Sequence, residues 1–499
     1  MNPQTTEHRR VPPPSFGQDS AHGITEVDPA PGDGVASTSN VQLPDHGPDN
    51  GVANTSHVRL VGASQPATER GLPFPPEDPL EGGRDGWLAV IGGSLVLCVS
   101  LGLVQSFGVF QDYYKRITLT ERSPSEISWI GSTQSFFHFA IGLPAGLLFD
   151  KGYFYTCLTG GSVLYLVSFF LLSLARPHHY YQHLLAQGFG MGIGMGLMAF
   201  PALAVIAHYF VRRRSLAMGI VVAGSSVGGV FYPILLNNLF VNLGFGWGVR
   251  TVAFINFALL LLANFFIKRR HAHYELPASI GLKRVLLDWP FMLFVAGAWL
   301  VLWGLFFPCK LRHDLVNKHF VTLFRVSSVF YLQFYAARHH VKLSLVKYSL
   351  TIMNAASILG RILPNFLADK YGMFNVMIPL TIISGALIFG MFGAGTTGGL
   401  VAFALFYGFF SGGFVALCTP IASLFAAELS DIGIRIGIVS LGLGLSLLTG
   451  NPIAGALLAP PHYTWWRSII FSSVVMFVGA ACHIVARGAL AKRHGTQWT

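Results

Sequence analysis

Charge is the scarcest property of this sequence. Of its 499 residues, 33 are Lys or Arg and 22 are Asp or Glu, so 11% are charged, against about 25% in soluble domains. That excludes a water-soluble fold for most of the chain. Cysteine is sparse too: Cys98, Cys157, Cys309, Cys418 and Cys482 are scattered without metal-ligand spacing, mostly within apolar stretches. They read as small core residues, which excludes a disulfide framework or a cysteine metal site. The net charge of +11 is not clustered, which argues against nucleic acid as a partner. No clustered His, Asp and Glu site near a membrane surface is found, so no enzyme, metal or cofactor is expected. No positive segment followed by a short apolar one opens the chain, so no cleavable signal peptide is expected. The first apolar span itself would direct insertion.

What the chain has instead is apolar length. Mean hydropathy is +0.55, with 56 Gly and 41 Phe. A hydrocarbon core of ~30 Å is crossed by about 20 helical residues, and such stretches recur after residue 86. Spans are expected near 87–110, 127–149, 155–175, 182–207, 215–240 and 249–267. After a basic linker they resume at 290–308, 344–367, 374–394, 398–427, 433–458 and 466–487. The pattern is six spans, a linker, then six. The expected architecture is an all-α membrane protein of twelve transmembrane helices, with an N-terminal half at 87–267, a cytoplasmic linker at 268–289 and a C-terminal half at 290–490. The lipid bilayer is its main partner.

Residues 1–86 differ. They hold 13 of the 27 prolines and few large apolar side chains, too little to offset the entropy of ordering, so a disordered cytoplasmic tail is expected. Within it Gly34–Leu43 recurs as Gly51–Leu60 with seven of ten positions identical, a slipped repeat in a tolerant linker.

Basic residues orient the spans. Outside the tail, the side bearing both termini carries 14 Lys and Arg and the other side 9, when 309–328 is left out. Cytoplasmic termini follow, with the plasma membrane expected and the vacuolar membrane as the alternative.

Residues 309–328 fit poorly. They interrupt an apolar run, Phe291–Pro308, that resumes at Val329, and they add four basic residues to the exterior side. Cys309-Lys310-Leu311 can be encoded as TGT-AAG-TTG, which contains the splice donor GTAAGT. Ser328-Val329 can be encoded as TCA-GTT, which contains the acceptor CAG. Excising twenty codons' length between them leaves a Phe codon and a continuous seventh span. The hypothesis is a retained intron; a genuine exterior loop is the alternative.

The halves echo each other. Gly146-Leu-Leu-Phe-Asp150-Lys151-Gly152 follows the second span, and Asn365-Phe-Leu-Ala-Asp369-Lys370-Tyr-Gly372 follows the eighth. Both resemble the loop motif of the major facilitator superfamily. Asp85-Gly86-Trp87 before the first span, Ser123-Pro-Ser-Glu-Ile-Ser-Trp-Ile-Gly131, Tyr331-Leu-Gln-Phe-Tyr335 and the run from Asn354 through Arg361 to Asn365 resemble the fungal branch of its monocarboxylate porter family. The resemblance covers residues 85 to about 490. It implies two pseudo-symmetric six-helix halves rocking about a central site. It also implies a small organic solute, a monocarboxylate-like anion, with Asp150, Lys151, Asp369 and Lys370 gating the cytoplasmic side. An efflux pump for a fungal secondary metabolite is the alternative.

Charge within a span defaults to function or internal pairing. Arg361 lies eight residues before Asp369, ~12 Å along the helix, and the resemblance gives it the anionic substrate. Asn354 and Ser357 share its helix face. The animal members carry an Asp where this chain has Ser357 and a Lys where it has Gln105. Neither replacement titrates usefully, which counts against proton-coupled monocarboxylate transport; His138 is the remaining titratable group well within a span, a proton relay or, as is commoner for a lone His there, hydrogen-bonded packing. The substrate-binding candidates are therefore Arg361, Asn354, Ser357, Gln105 and His138. Gln134, Asn237, Asn238 and Asn256 are further polar positions, though a lone Asn also serves as glue between helices. The alternating glycines Gly188 to Gly196 read as close helix packing, because a nucleotide site needs a strand, a turn and a helix start in water. Gly224-Ser-Ser-Val-Gly-Gly229 resembles the superfamily's antiporter motif with Ser225 in place of its Pro.

Sequencing of transcripts across codons 309–328 is expected to reveal a spliced message joining Pro308 through one Phe to Phe330. Finding unspliced message alone would end the intron hypothesis.

Overall fold

The structure, a computed structural model, describes residues 81–269, 281–305, 343–426, 428–457 and 465–495. Most of the expected tail and the 309–328 segment lie outside the described residues. Among the described residues there are no strands.

Twelve helical rods are present among them. In the N-terminal half these are α1 (Gly83–Thr118), α2 (Pro124–Ala140 continuing after Ile141 as Gly142–Asp150), α3 (Phe154–Leu172), α4 (Tyr180–His208), α5 (Arg214–Asn242) and α6 (Gly244–Phe266). In the C-terminal half they are α7 (Trp289–Leu305), α8 (Leu343–Tyr371), α9 (Met373–Phe389), α10 (Thr397–Leu424), α11 (Ile432–Leu457) and α12 (Trp465–His494). The first rod starts four residues before the expected span and runs eight beyond it. Its start is fixed because Gly82 N–H donates to the Tyr209 carbonyl (3.0 Å) and Trp87 packs edge-on against Phe210. Its far end is extended by a π-helical turn at Tyr114–Thr118. α2 opens with a capping box, in which Ser123 Oγ accepts from Glu126 N–H and the Glu126 carboxylate accepts from Ser123 N–H.

The packing repeats. α1 packs on α5 and α6, α2 on α4, and α3 on α4 and α6; correspondingly α7 packs on α11 and α12, α8 on α10, and α9 on α10 and α12. Between the halves α2 meets α11 and α8 meets α5, which is the same relation with the halves exchanged. Two six-helix halves related by a pseudo-twofold satisfy all of these pairings.

Glycine spacing explains how the rods come so close. In α4, Gly192 and Gly196 lie four apart and face α2, where an added Cβ would meet the Gln134 carbonyl at 2.9 Å and the His138 carbonyl at 2.6 Å. Gly194 is turned onto α3, where an added Cβ would meet Tyr165 N at 2.6 Å. One glycine series thus serves two helix faces, as expected for close packing in lipid. In α5, Gly224 and Gly228 face α1, while Gly219 and Gly229 face α8. The turns after α2 and α8 each place a glycine at positive φ, Gly152 at 96° and Gly372 at 92°, a conformation costly for side chains with a Cβ.

Gly228→Val is expected to drive α5 from α1, because an added Cβ meets Gly102 Cα at 2.7 Å; overpacking of this kind costs ~1–3 kcal/mol. Size-exclusion profiles in detergent should show loss of the monodisperse peak. Gly160→Ala, where nothing lies within 4 Å, should leave that peak unchanged.

Candidate functional site

The face of the bundle that carries the starts of α1 and α7 and the end of α12 is the tail side. There the halves are joined by two matching contacts. The Asp150 carboxylate, at the end of α2, accepts from the backbone N–H groups of Gly433 (2.9 Å) and Ile434 (2.7 Å) at the start of α11. The Asp369 carboxylate, near the end of α8, accepts from the N–H groups of Ser215 and Leu216 (both 2.9 Å) at the start of α5. The first N–H groups of a helix have no partner within it and carry its positive dipole end, so a carboxylate there is doubly favoured. Lys151 and Lys370 remain exposed, Lys370 with its Nζ 4.5 Å from the Phe366 ring centroid. In each acidic-basic pair the acid enters the joint and the base stays at the surface.

A second acidic residue serves the same helix start in each half. Glu81, just ahead of α1, accepts from Arg212 N–H (2.5 Å) and Arg213 N–H (3.1 Å), immediately before α5. Asp288, just ahead of α7, pairs with Arg435 near the start of α11 (3.0 Å) and with Arg493 of α12 (2.9 Å). The Arg435 guanidinium also lies 4.9 Å from the Phe291 ring centroid. Sequence reasoning missed both acids. The available signal was an acidic residue one or two positions before the first helix of each half.

From the Asp369 joint a line of polar contacts runs inward between α5 and α8. Ser215 Oγ donates to Asn365 Oδ1 (2.7 Å), and Asn365 Nδ2 donates to the Arg361 carbonyl (2.7 Å). Next comes Arg361, 8% exposed, whose Nη1 donates to the Val222 carbonyl (2.8 Å) and to Ser225 Oγ. Ser225 Oγ in turn donates to the Val222 carbonyl (2.9 Å). Ser226 Oγ donates to Ser357 Oγ (3.3 Å), one turn further in. Gln105 joins from α1, its Nε2 donating to the Ser225 carbonyl (3.0 Å). Asn354 borders Gly229, where an added Cβ would meet its Nδ2 at 2.9 Å and Gln105 Oε1 at 3.0 Å.

Four of the five substrate-binding candidates thus meet at one seam: Gln105, Asn354, Ser357 and Arg361. Sequence reasoning missed the acceptors opposite them, Val222 and Ser225. The glycine motif around Ser225 carried the signal, since the hydroxyl Arg361 uses stands where the resembling motif has a Pro. His138 belongs elsewhere, on the face of α2 toward α4. It is 0% exposed, beside the Phe139 and Phe200 rings, and neither ring nitrogen has a partner among the described residues. Gln134, one turn away, faces Met195 of α4. Asn256 is internal glue in the N-terminal half: it accepts from Tyr232 Oη (2.6 Å) and donates to Tyr165 Oη (2.7 Å). Asn238 is exposed and borders an apolar groove formed with Val227, Phe231, Ile234 and Ile358. Among the described residues, no three His, Cys, Asp or Glu side chains gather as a metal site.

Two repeated six-helix halves, joined on one face by polar contacts and lined between by a buried polar seam, have the architecture of a membrane transporter. The pattern of the Major Facilitator Superfamily matches residues 87–311. The chain is 34% identical to "MFS-type transporter pynF" of Aspergillus niger over 438 residues, covering 86% of this chain and 95% of that one. It is 36% identical to "Agnestins efflux protein AgnL12" of Paecilomyces divaricatus over 401 residues, 80% of this chain and 87% of that one. Among solved structures, the Major Facilitator Superfamily transporter FucP in the outward conformation shares the fold, with a TM-score of 0.58 at 15% identity, over 80% of this chain and 98% of that one. The chain belongs to the Major Facilitator Superfamily and is a transporter of that class.

Asp369→Ala removes the acceptor from two helix-start N–H groups, which costs ~0.5–2 kcal/mol by analogy with lost helix caps. The unfolding temperature in detergent, followed by intrinsic fluorescence, should fall. Lys151→Ala, at an exposed side chain, should leave it where it was.

Proposed function

We propose that this transporter exports a small organic secondary metabolite by alternating access, with the α1–α5–α8 seam as its solute contact. The observation that carries this reading is a surplus of buried donors. Arg361 Nε and Asn354 Nδ2 lie on one face of α8, both buried and both without a hydrogen-bond partner among the described residues. Buried donors left unpaired cost ~1–3 kcal/mol each, so the seam favours a solute that brings acceptors. A carboxylate or an ionised enol suits a guanidinium, which presents its N–H groups as a planar fork. Seven residues separate the two donors, ~10 Å along the helix, so a solute spanning both needs a second acceptor at that distance.

The resemblance to the fungal monocarboxylate porter branch supports an anionic group at Arg361. The relative from Paecilomyces, described as an efflux protein for agnestins, supports a secondary metabolite and the outward direction. The tail side is proposed to be cytoplasmic, from the excess of Lys and Arg there, and the plasma membrane is the proposed location. The Asp150 and Asp369 contacts then act as the cytoplasmic gate. Proton movement through His138 is not part of this reading, because its imidazole sits among aromatic rings on another helix interface.

Metabolites inside and outside cells should be compared between a deletion strain and an overexpressing one. Overexpression is expected to raise the external share of one acceptor-rich compound, and Arg361→Ala, at equal surface expression, to abolish that rise. Unchanged export by Arg361→Ala would remove the residue from the site. Accumulation inside overexpressing cells would establish uptake instead.

A further inference from the structure

We infer that Ser225 is a positioning residue that holds Arg361 for exchange: the guanidinium is bound by α5 while the tail side is closed and is freed for a solute loading from that side once it opens. The inference rests on the reading that Arg361 contacts the solute.

The geometry is a small closed ring. Arg361 Nη1 donates to both Ser225 Oγ and the Val222 carbonyl, and Ser225 Oγ donates to that same carbonyl. The Ser225 carbonyl is held in turn by Gln105 of α1. Ser225 therefore touches every partner in the seam that sets where the guanidinium lies. Arg361 belongs to α8 in one half and its acceptors to α5 in the other, so this ring must break when those helices part. Breaking it without a replacement leaves a buried cation with no acceptor, one of the costliest states in a low-dielectric interior. Water admitted by the open tail side, and then a solute bearing a carboxylate, supplies the replacement, and the ring re-forms as that side closes. The ring thus weights the empty carrier toward the tail-closed state without barring the opening that loading from that side requires.

The hydroxyl at position 225 is what makes the exchange possible. A Pro there, as in the motif this stretch resembles, offers no side-chain acceptor. Threonine keeps the hydroxyl and alanine removes it while preserving the helix.

The test reads the two sides of the tail-side joint without any solute. Full-length protein lacking its five native cysteines carries nitroxide labels at Tyr153→Cys and Tyr371→Cys, which are exposed on the tail side of opposite halves (both 56% exposed). Pulsed electron double resonance then gives the distance distribution. Ser225→Ala is expected to raise the long-distance, tail-side-open fraction at least twofold, and Ser225→Thr to match the parent. Arg361→Met should produce the same shift, and the double variant no more than either alone. It also serves as the readout if Ser225→Ala does not fold. A parent-like distribution in Ser225→Ala or in Arg361→Met overturns the inference. If that happens while Arg361→Ala still abolishes export, only the holding role of Ser225 is lost. If Arg361→Ala exports normally, the solute site itself is misplaced.

Discussion

A carboxylate from one half resting on the first N–H groups of a helix from the other is the contact that joins the two halves on the tail side. It occurs twice, as Asp150 on Gly433 and Ile434 and as Asp369 on Ser215 and Leu216. Helix starts need external acceptors in any case. Here the acceptors come from across the interface, so closing the joint satisfies groups that water or nothing must otherwise satisfy. Within each half a further acid holds the same helix start: Glu81 accepts from the Arg212 and Arg213 N–H groups before α5, and Asp288 pairs with the Arg435 guanidinium near the start of α11.

Deeper in, the interface changes character. The contacts between α5 and α8 pass from carboxylate on backbone to guanidinium on carbonyl and hydroxyl, and then to hydroxyl on hydroxyl. Polar groups at this depth are expensive unless paired. The glycines of α5 let α8 approach closely enough for the pairing, since Gly219 and Gly229 leave no room for side chains opposite Asn365 and Asn354. Packing and polarity are therefore one design. The small residues set the separation of the helices, and the separation sets which donors find partners and which are left without one.

Much of this was legible as pattern. The apolar period, the six-plus-six arrangement and the paired Asp-Lys turns come from local chemistry that each segment carries by itself. The shared face of Asn354, Ser357 and Arg361 follows from the helical repeat alone, and the structure keeps those three together. What that face meets was not legible. The resemblance gives Arg361 an anionic substrate, and here its Nη1 is bound to α5 at Val222 and Ser225. His138 resembled the seam residues in being a polar group within a span, yet it packs on α4 through its neighbours Phe139 and Phe200. The same helical repeat serves both, and only the identity of the facing helix separates them.

By itself the sequence determined that the chain crosses a membrane repeatedly, where the helices begin and turn, and which polar groups are forced into lipid depth. Those follow from hydropathy, glycine and proline placement, and charge, all of which act within a few residues. The tertiary structure alone decided that α5 faces α8 across the halves, that Asp150 and Asp369 finish on helix starts nearly three hundred and about one hundred and fifty residues away, and that Ser225 lies under Arg361. Such pairings depend on how two separate bundles dock, and the docking energy is spread over many weak contacts between segments distant in the chain, so no short stretch of sequence carries it.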